Sequence, residues 1–263
     1  MRKLLAFFLS LLLTLPLAGC GEKDAAEYFV TRRYILEADG DIQLTDYAYD
    51  ENWNLLASTV LLNGEFVYDA AYSYSEDFTL VTIATRTASN DSGTTEVHRT
   101  FDENGNVSKA LAYEDGDLTT ETEYSYDAEG HEIKAVVTAS PGYVNTVEHI
   151  FDKNGNLVAY LTDNGFTVSR QEFSYDRQNR RTGEASYQNG QLAERAEYTY
   201  ENGVQKGIHY DASGKQLRTT FVTFDDAGNP LTEEAFDLQG TLLSRTCYAY
   251  QGTDGSVSSG IPE

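Results

Sequence analysis

Basic residues, proline and cysteine are all scarce in this chain of 263 residues, and each scarcity removes a class of protein. Only 19 Lys and Arg stand against 42 Asp and Glu, a formal net charge of −23. Nucleic-acid and anionic-lipid surfaces demand the opposite balance, so neither is expected as a partner. Four prolines leave long stretches free for uninterrupted β-ladders. Two cysteines, Cys20 and Cys247, are too few for the disulfide framework of a small secreted domain. Long apolar runs are missing too, apart from Leu4 to Leu17, which is short for a membrane-spanning helix.

What the chain does have is a period. An aromatic ring, usually followed by an acid, recurs at Tyr49, Tyr74, Phe101, Tyr126, Phe151, Tyr175, Tyr200, Phe224 and Tyr250, in steps of 24 to 27 residues. Spacing this regular signals stacked structural units. Before each marker, rings alternate with Glu, Ser, Thr or Ala, as in Thr122-Glu123-Tyr124-Ser125-Tyr126 and Ala196-Glu197-Tyr198-Thr199-Tyr200. A period of two is that of a strand with one face buried. A turn follows, clearest in Asp102-Glu103-Asn104-Gly105-Asn106 and Asp152-Lys153-Asn154-Gly155-Asn156. Asp bonds the amides ahead of it, and Asn-Gly supplies the left-handed conformation of a tight hairpin. A second strand runs back to another turn, such as Asn63-Gly64 or Asn189-Gly190. Each unit is thus a hairpin, and the expected fold is all-β: an extended, coiled antiparallel meander of about 17–18 strands made of β-hairpin repeats of about 25 residues.

Two resemblances add to this reading. Arg2 and Lys3, the apolar run and Leu17-Ala18-Gly19-Cys20 resemble the signal and lipobox of bacterial lipoproteins. The resemblance implies a signal peptide at 1–19, a lipidated Cys20 heading a short linker to 27, and a cell-envelope, extracytoplasmic address held by the lipid anchor only. The pattern Tyr-x-Tyr-Asp-x-x-Gly-Asn resembles the YD, or Rhs, repeat of bacterial surface and toxin proteins, with a MORN-like array as structural competitor. It implies a repeat domain over 28–250, followed by a flexible tail at 251–263.

Candidate sites are few. Asp102, Asn104 and Gly105, with Asp152, Asn154 and Gly155, are read as structural turns and not calcium loops, because glycine falls fourth and not sixth. His98, His131, His149 and His209 lie in separate repeats without metal-ligand spacing, so no metal and no cofactor are expected. No nucleophile elbow or phosphate loop is present, and paired acids on strand faces read as solvated ladders, so no catalytic residue is assigned. Tyr124, Tyr126, Tyr198 and Tyr200 are the candidates for an aromatic ligand surface. The function this suggests is a non-catalytic, monomeric binding or scaffolding module for a glycan or protein. A cell-envelope glycan hydrolase and an immunity partner of a surface toxin are the alternatives. An outer-membrane barrel is disfavoured, since one strand face is rich in Glu, Ser and Thr and the other in tyrosine.

Overall fold

The computed structural model describes residues 28–262 except 90, 140 and 141, and every regular element in it is a strand. In the first half these are β1 (Tyr28–Glu37), β2 (Ile42–Tyr49), β3 (Leu55–Leu62), β4 (Glu65–Tyr74), β5 (Leu80–Thr87), β6 (Ser92–Phe101), β7 (Val107–Glu114), β8 (Asp117–Tyr126) and β9 (Glu132–Ala139). The second half adds β10 (Tyr143–Phe151), β11 (Leu157–Asp163), β12 (Val168–Tyr175), β13 (Arg181–Gln188), β14 (Gln191–Glu201), β15 (Val204–Asp211), β16 (Gln216–Phe224), β17 (Pro230–Phe236), β18 (Leu242–Gly252) and the short β19 (Val257–Ser259). The all-β expectation holds, and the marker rings from Tyr49 to Phe224 end their strands, except that β14 runs one residue past Tyr200.

The open meander does not hold. Consecutive strands pair antiparallel, and β1 pairs with both β2 and β18, so β1 to β18 close into an 18-stranded barrel. The seam runs from Tyr28 opposite Gly252 to Glu37 opposite Ser244. Closure removes both sheet edges, which an open meander would leave as templates for aggregation. Val257–Ser259, inside the segment expected to be a flexible tail, pairs as β19 with the outer end of β18. A coiled YD-type or MORN-like array therefore does not describe this chain.

The turns explain why the hairpins form. In the marker turns that begin with aspartate, its Oδ1 accepts the amides two and four residues ahead, as Asp102 does from Asn104 and Asn106, both at 2.9 Å. Oδ2 takes the side-chain amide at the fourth position, as Asp152 does from Asn156 at 3.0 Å. Gly105 sits at φ 84° with open space where a Cβ would be. Trp53 and Phe78 hold the same turn position at φ 63° and 58°, which is unusual for bulky side chains. The Ser75–Leu80 turn lacks glycine and closes one residue later, from the Ser75 amide to the Leu80 carbonyl, with Asp77 bracing it through Ser75 and Thr79.

Alternation then assigns the faces. On β8, Thr120 and Thr122 are buried and Tyr124 and Tyr126 half-buried, whereas Glu123 and Ser125 between them are exposed. The same phase runs round the ring through Ser58, Val60, Ala70, Val81, Ile83, Ala196 and His209. The face with crowded side chains is the concave one, so the marker rings point into the barrel, while others such as Phe66 and Tyr210 lie outside beneath Arg86 and Arg195.

Candidate functional site: the barrel lumen

Eighteen strands spaced about 4.8 Å apart give a ring about 27 Å wide before strand tilt is added, and barrels of this size leave an aqueous channel. Extensive backbone approach occurs only between hydrogen-bonded neighbours, so no opposite walls have collapsed together. The lumen wall is therefore the surface on which this fold can meet a small molecule.

Tyrosine dominates that wall, and most marker hydroxyls are already engaged. Tyr49, Tyr74, Tyr126, Tyr175, Tyr200 and Tyr250 donate to the carbonyls of Val30, Leu55, Val107, Leu157, Arg181 and Pro230 at 2.8–3.0 Å. Each hydroxyl thus latches the end of its strand to the preceding strand. The phenols are also displaced from water: burial pushes the Tyr124 and Tyr126 hydroxyls up to about 12. Of the four proposed ligand-surface rings, Tyr126 and Tyr200 are latches, Tyr198 donates to Glu184 at 3.1 Å, and Tyr124 borders Arg99. Tyr124 and Tyr126 lie on β8 and Tyr198 and Tyr200 on β14, so the two pairs occupy separate arcs of the wall.

Charged groups are interleaved with these rings. Glu194 contacts His209 Nδ1 at 2.9 Å and accepts from Arg218, while His209 Nε2 meets Thr220 Oγ1 at 3.1 Å. Burial opposes ionisation of Glu194, but these partners outweigh it and hold its carboxyl below the usual range. Gly207 lets this network close up: a Cβ there would stand 2.4 Å from Thr220 Oγ1 and 2.8 Å from the Tyr198 ring. Arg181 lies over the Phe173 ring at 4.2 Å and 3.6 Å from Glu184. Sequence reading passed over Glu194 and Arg218. Their separation of 24 residues, one repeat, was the available signal, because equal phase in successive hairpins puts side chains on the same face two strands apart, here with β15 between them.

The outward face differs. It carries the ion pairs Arg32–Asp46, Arg86–Asp69, Lys109–Glu121, Lys134–Glu148, Arg195–Glu197 and Arg245–Glu234, spread around the ring. Transmembrane barrels present lipid with a continuous apolar band, and a cation at mid-bilayer costs about 2–4 kcal/mol.

The expected turns Asp102, Asn104, Gly105 and Asp152, Asn154, Gly155 lie at one rim of the barrel, with their aspartate oxygens occupied by amides. Among the described residues no group of three or more His, Cys, Asp and Glu could hold a metal ion. Cys20 lies outside the described residues.

No protein-family model matches the chain, and no curated protein does. Solved structures do. A porin-like protein from Bacteroides uniformis ATCC 8492 superimposes with a TM-score of 0.50 at 10% identity, covering 84% of this chain and 96% of that one. A porin-like protein from Bacteroides vulgatus ATCC 8482 gives 0.48 at 13% identity over 86% of this chain and 99% of its own. The TcdB2-TccC3-Cdc42 structure gives 0.33 at 15% identity over 83% of this chain, which spans only 14% of that one. The first likeness defines the class: a closed antiparallel β-barrel of porin-like fold. At this identity it shows fold alone.

That fold overturns the remaining expectations. A repeat-based scaffolding module for a glycan or protein, a glycan hydrolase and an immunity partner are all set aside, since the chain builds one hollow barrel. Attachment to the cell envelope by a lipid anchor only is set aside as well, because a closed barrel can also meet a bilayer through its strands. The acids of the aspartate turns are engaged by amides and many of the strand acids by ion pairs.

Proposed function

We propose that the protein is a solute receptacle: a barrel working in water that takes small, polar, ring-bearing molecules into its tyrosine-lined lumen. The observation that carries this reading is the contrast between faces, with the latched marker rings and paired charges inside and, outside, exposed ion pairs spread around the ring. Rings offer flat apolar area, and the interleaved Glu, Arg and His offer hydrogen bonds to a solute's polar edge. The porin-like fold favours a second reading, a channel across a membrane. One experiment separates them. The protein from residue 28 onward, purified without detergent, should remain monodisperse by light scattering, bind phenol or benzamide by calorimetry, and leave dye-loaded liposomes sealed. Aggregation without detergent together with dye release would establish the channel and end the receptacle reading.

A further inference from the structure

Among the described residues, the inward arginines other than Arg99 have an acid in their surroundings. Arg218 pairs with Glu194, Arg181 stands 3.6 Å from Glu184, and Arg33, whose Nε has no hydrogen-bond partner, is near Glu233 of β17. The exception is Arg99 on β6. It is half-buried, it follows the inward phase of Val97 and Phe101, and no carboxylate among the described residues lies within ion-pair distance of it. Its titratable neighbours are two phenols, Tyr74 on β4 and Tyr124 on β8. Burial disfavours its charge, and nothing nearby compensates with an acid.

The floor beside Arg99 is low. Its partner across the ladder is Ala110, followed on the same face by Ala112, and Ala110 in turn pairs with Thr122. Two alanines between Tyr74 and Tyr124 make a notch in an otherwise ring-studded wall, with a guanidinium at one side. Resting on the receptacle reading, we propose that this notch binds a small carboxylate carrying a flat ring. The guanidinium fork matches a carboxylate in two parallel hydrogen bonds, and the tyrosines flank the ring. The net charge of −23 repels anions in general, so any preference for a carboxylate has to arise at a local cation such as this one.

Calorimetry with benzoate against its neutral analogue benzamide tests the assignment. Wild type should bind benzoate about tenfold or more tighter, the scale of a charge-assisted hydrogen bond. Arg99→Gln should erase the preference while keeping benzamide affinity, and Arg86→Gln on the outer face should change neither. Ala110→Leu keeps the guanidinium but fills the notch; it should lose the benzoate preference even if Arg99→Gln fails to fold. Equal binding of the two probes by wild type, or a preference that survives either lumen variant, overturns the site while leaving the receptacle standing. Failure of wild type to bind either probe removes the receptacle reading and this site with it.

Discussion

Tyr34 on β1 stands directly opposite Cys247 on β18, joining the first and last strands of the ring. Cys247 is 1% exposed, close to the Arg245–Glu234 ion pair, and burial pushes its thiol up. Cys247 is therefore a marker of barrel closure.

That position makes the thiol a reporter. In a Cys20→Ser background, Cys247 should react with a disulfide reagent very slowly in the folded protein and at once in denaturant. Ile35→Pro should abolish the protection, because Ile35 pairs with both Thr246 and Gln43 and proline removes a ladder donor. Rapid labelling of the intact protein would mean that the ring is open at this seam.

The left-handed turn positions give opposite expectations for two substitutions. Gly105→Val should destabilise by about 1–2 kcal/mol although nothing crowds the site, since the cost is conformational. Phe78→Gly should raise the melting temperature or leave it unchanged. Phe78 is 39% exposed, and its one ring contact, 5.6 Å from Tyr74, has to offset the strain of φ 58°. A clear drop in melting temperature for Phe78→Gly would show that this contact outweighs the strain.

These residues also show which parts of the fold were legible. The hairpins were, because Asp-x-Asn-Gly-Asn encodes each turn within five residues and the alternation around Tyr124 or Tyr198 encodes the buried face. The barrel was not, because pairing β1 with β18 joins segments at opposite ends of the chain with no local turn between them. The alternation of polar and tyrosine faces speaks against an outer-membrane barrel, but it bears on lipid contact and carries no information on whether the ring closes. The tyrosine latches were missed although their spacing of 18 to 20 residues is as regular as the repeat. Arg99 gave no signal, since its distinction is a missing acid on neighbouring strands.

The latch makes a small and specific claim. Tyr126→Phe keeps the ring but leaves the carbonyl of buried Val107 on β7 without its donor, and should cost about 1 kcal/mol in denaturant unfolding. No effect would mean that water replaces the hydroxyl freely.

Gly207→Ala should be worse than its size suggests. The added methyl would press on Thr220 and Tyr198 together, and overpacking of this kind costs about 1–3 kcal/mol. Displacement of Thr220 would also loosen His209, which should appear as faster exchange of the β15 amides. A melting temperature equal to wild type would show that Tyr198 swings aside at no cost.

The rim turns set the response to acid and to chelators. Amide and side-chain hydrogen bonds hold the carboxyls of Asp50, Asp102, Asp152, Asp211 and Asp237 below their ordinary range, led by Asn54, Asn106, Asn156, Ser213 and Thr241 respectively. A carboxyl lowered on folding stabilises the folded state above its unfolded value. That stability disappears as pH falls through the folded value, so it should be complete above about pH 5 and drain away below about pH 4. Glu132 and Glu233, raised mainly by burial, work the other way, adding stability at low pH that is lost as pH rises through their folded values. The lowered aspartates outnumber them, so the melting temperature should fall on acidification, and Asp152→Ala should flatten part of that slope. Chelator at neutral pH should leave the melting temperature unchanged, because amides already occupy the carboxylate oxygens that calcium would need. A large loss of stability in chelator would make these turns metal sites and reverse the assignment of their aspartates.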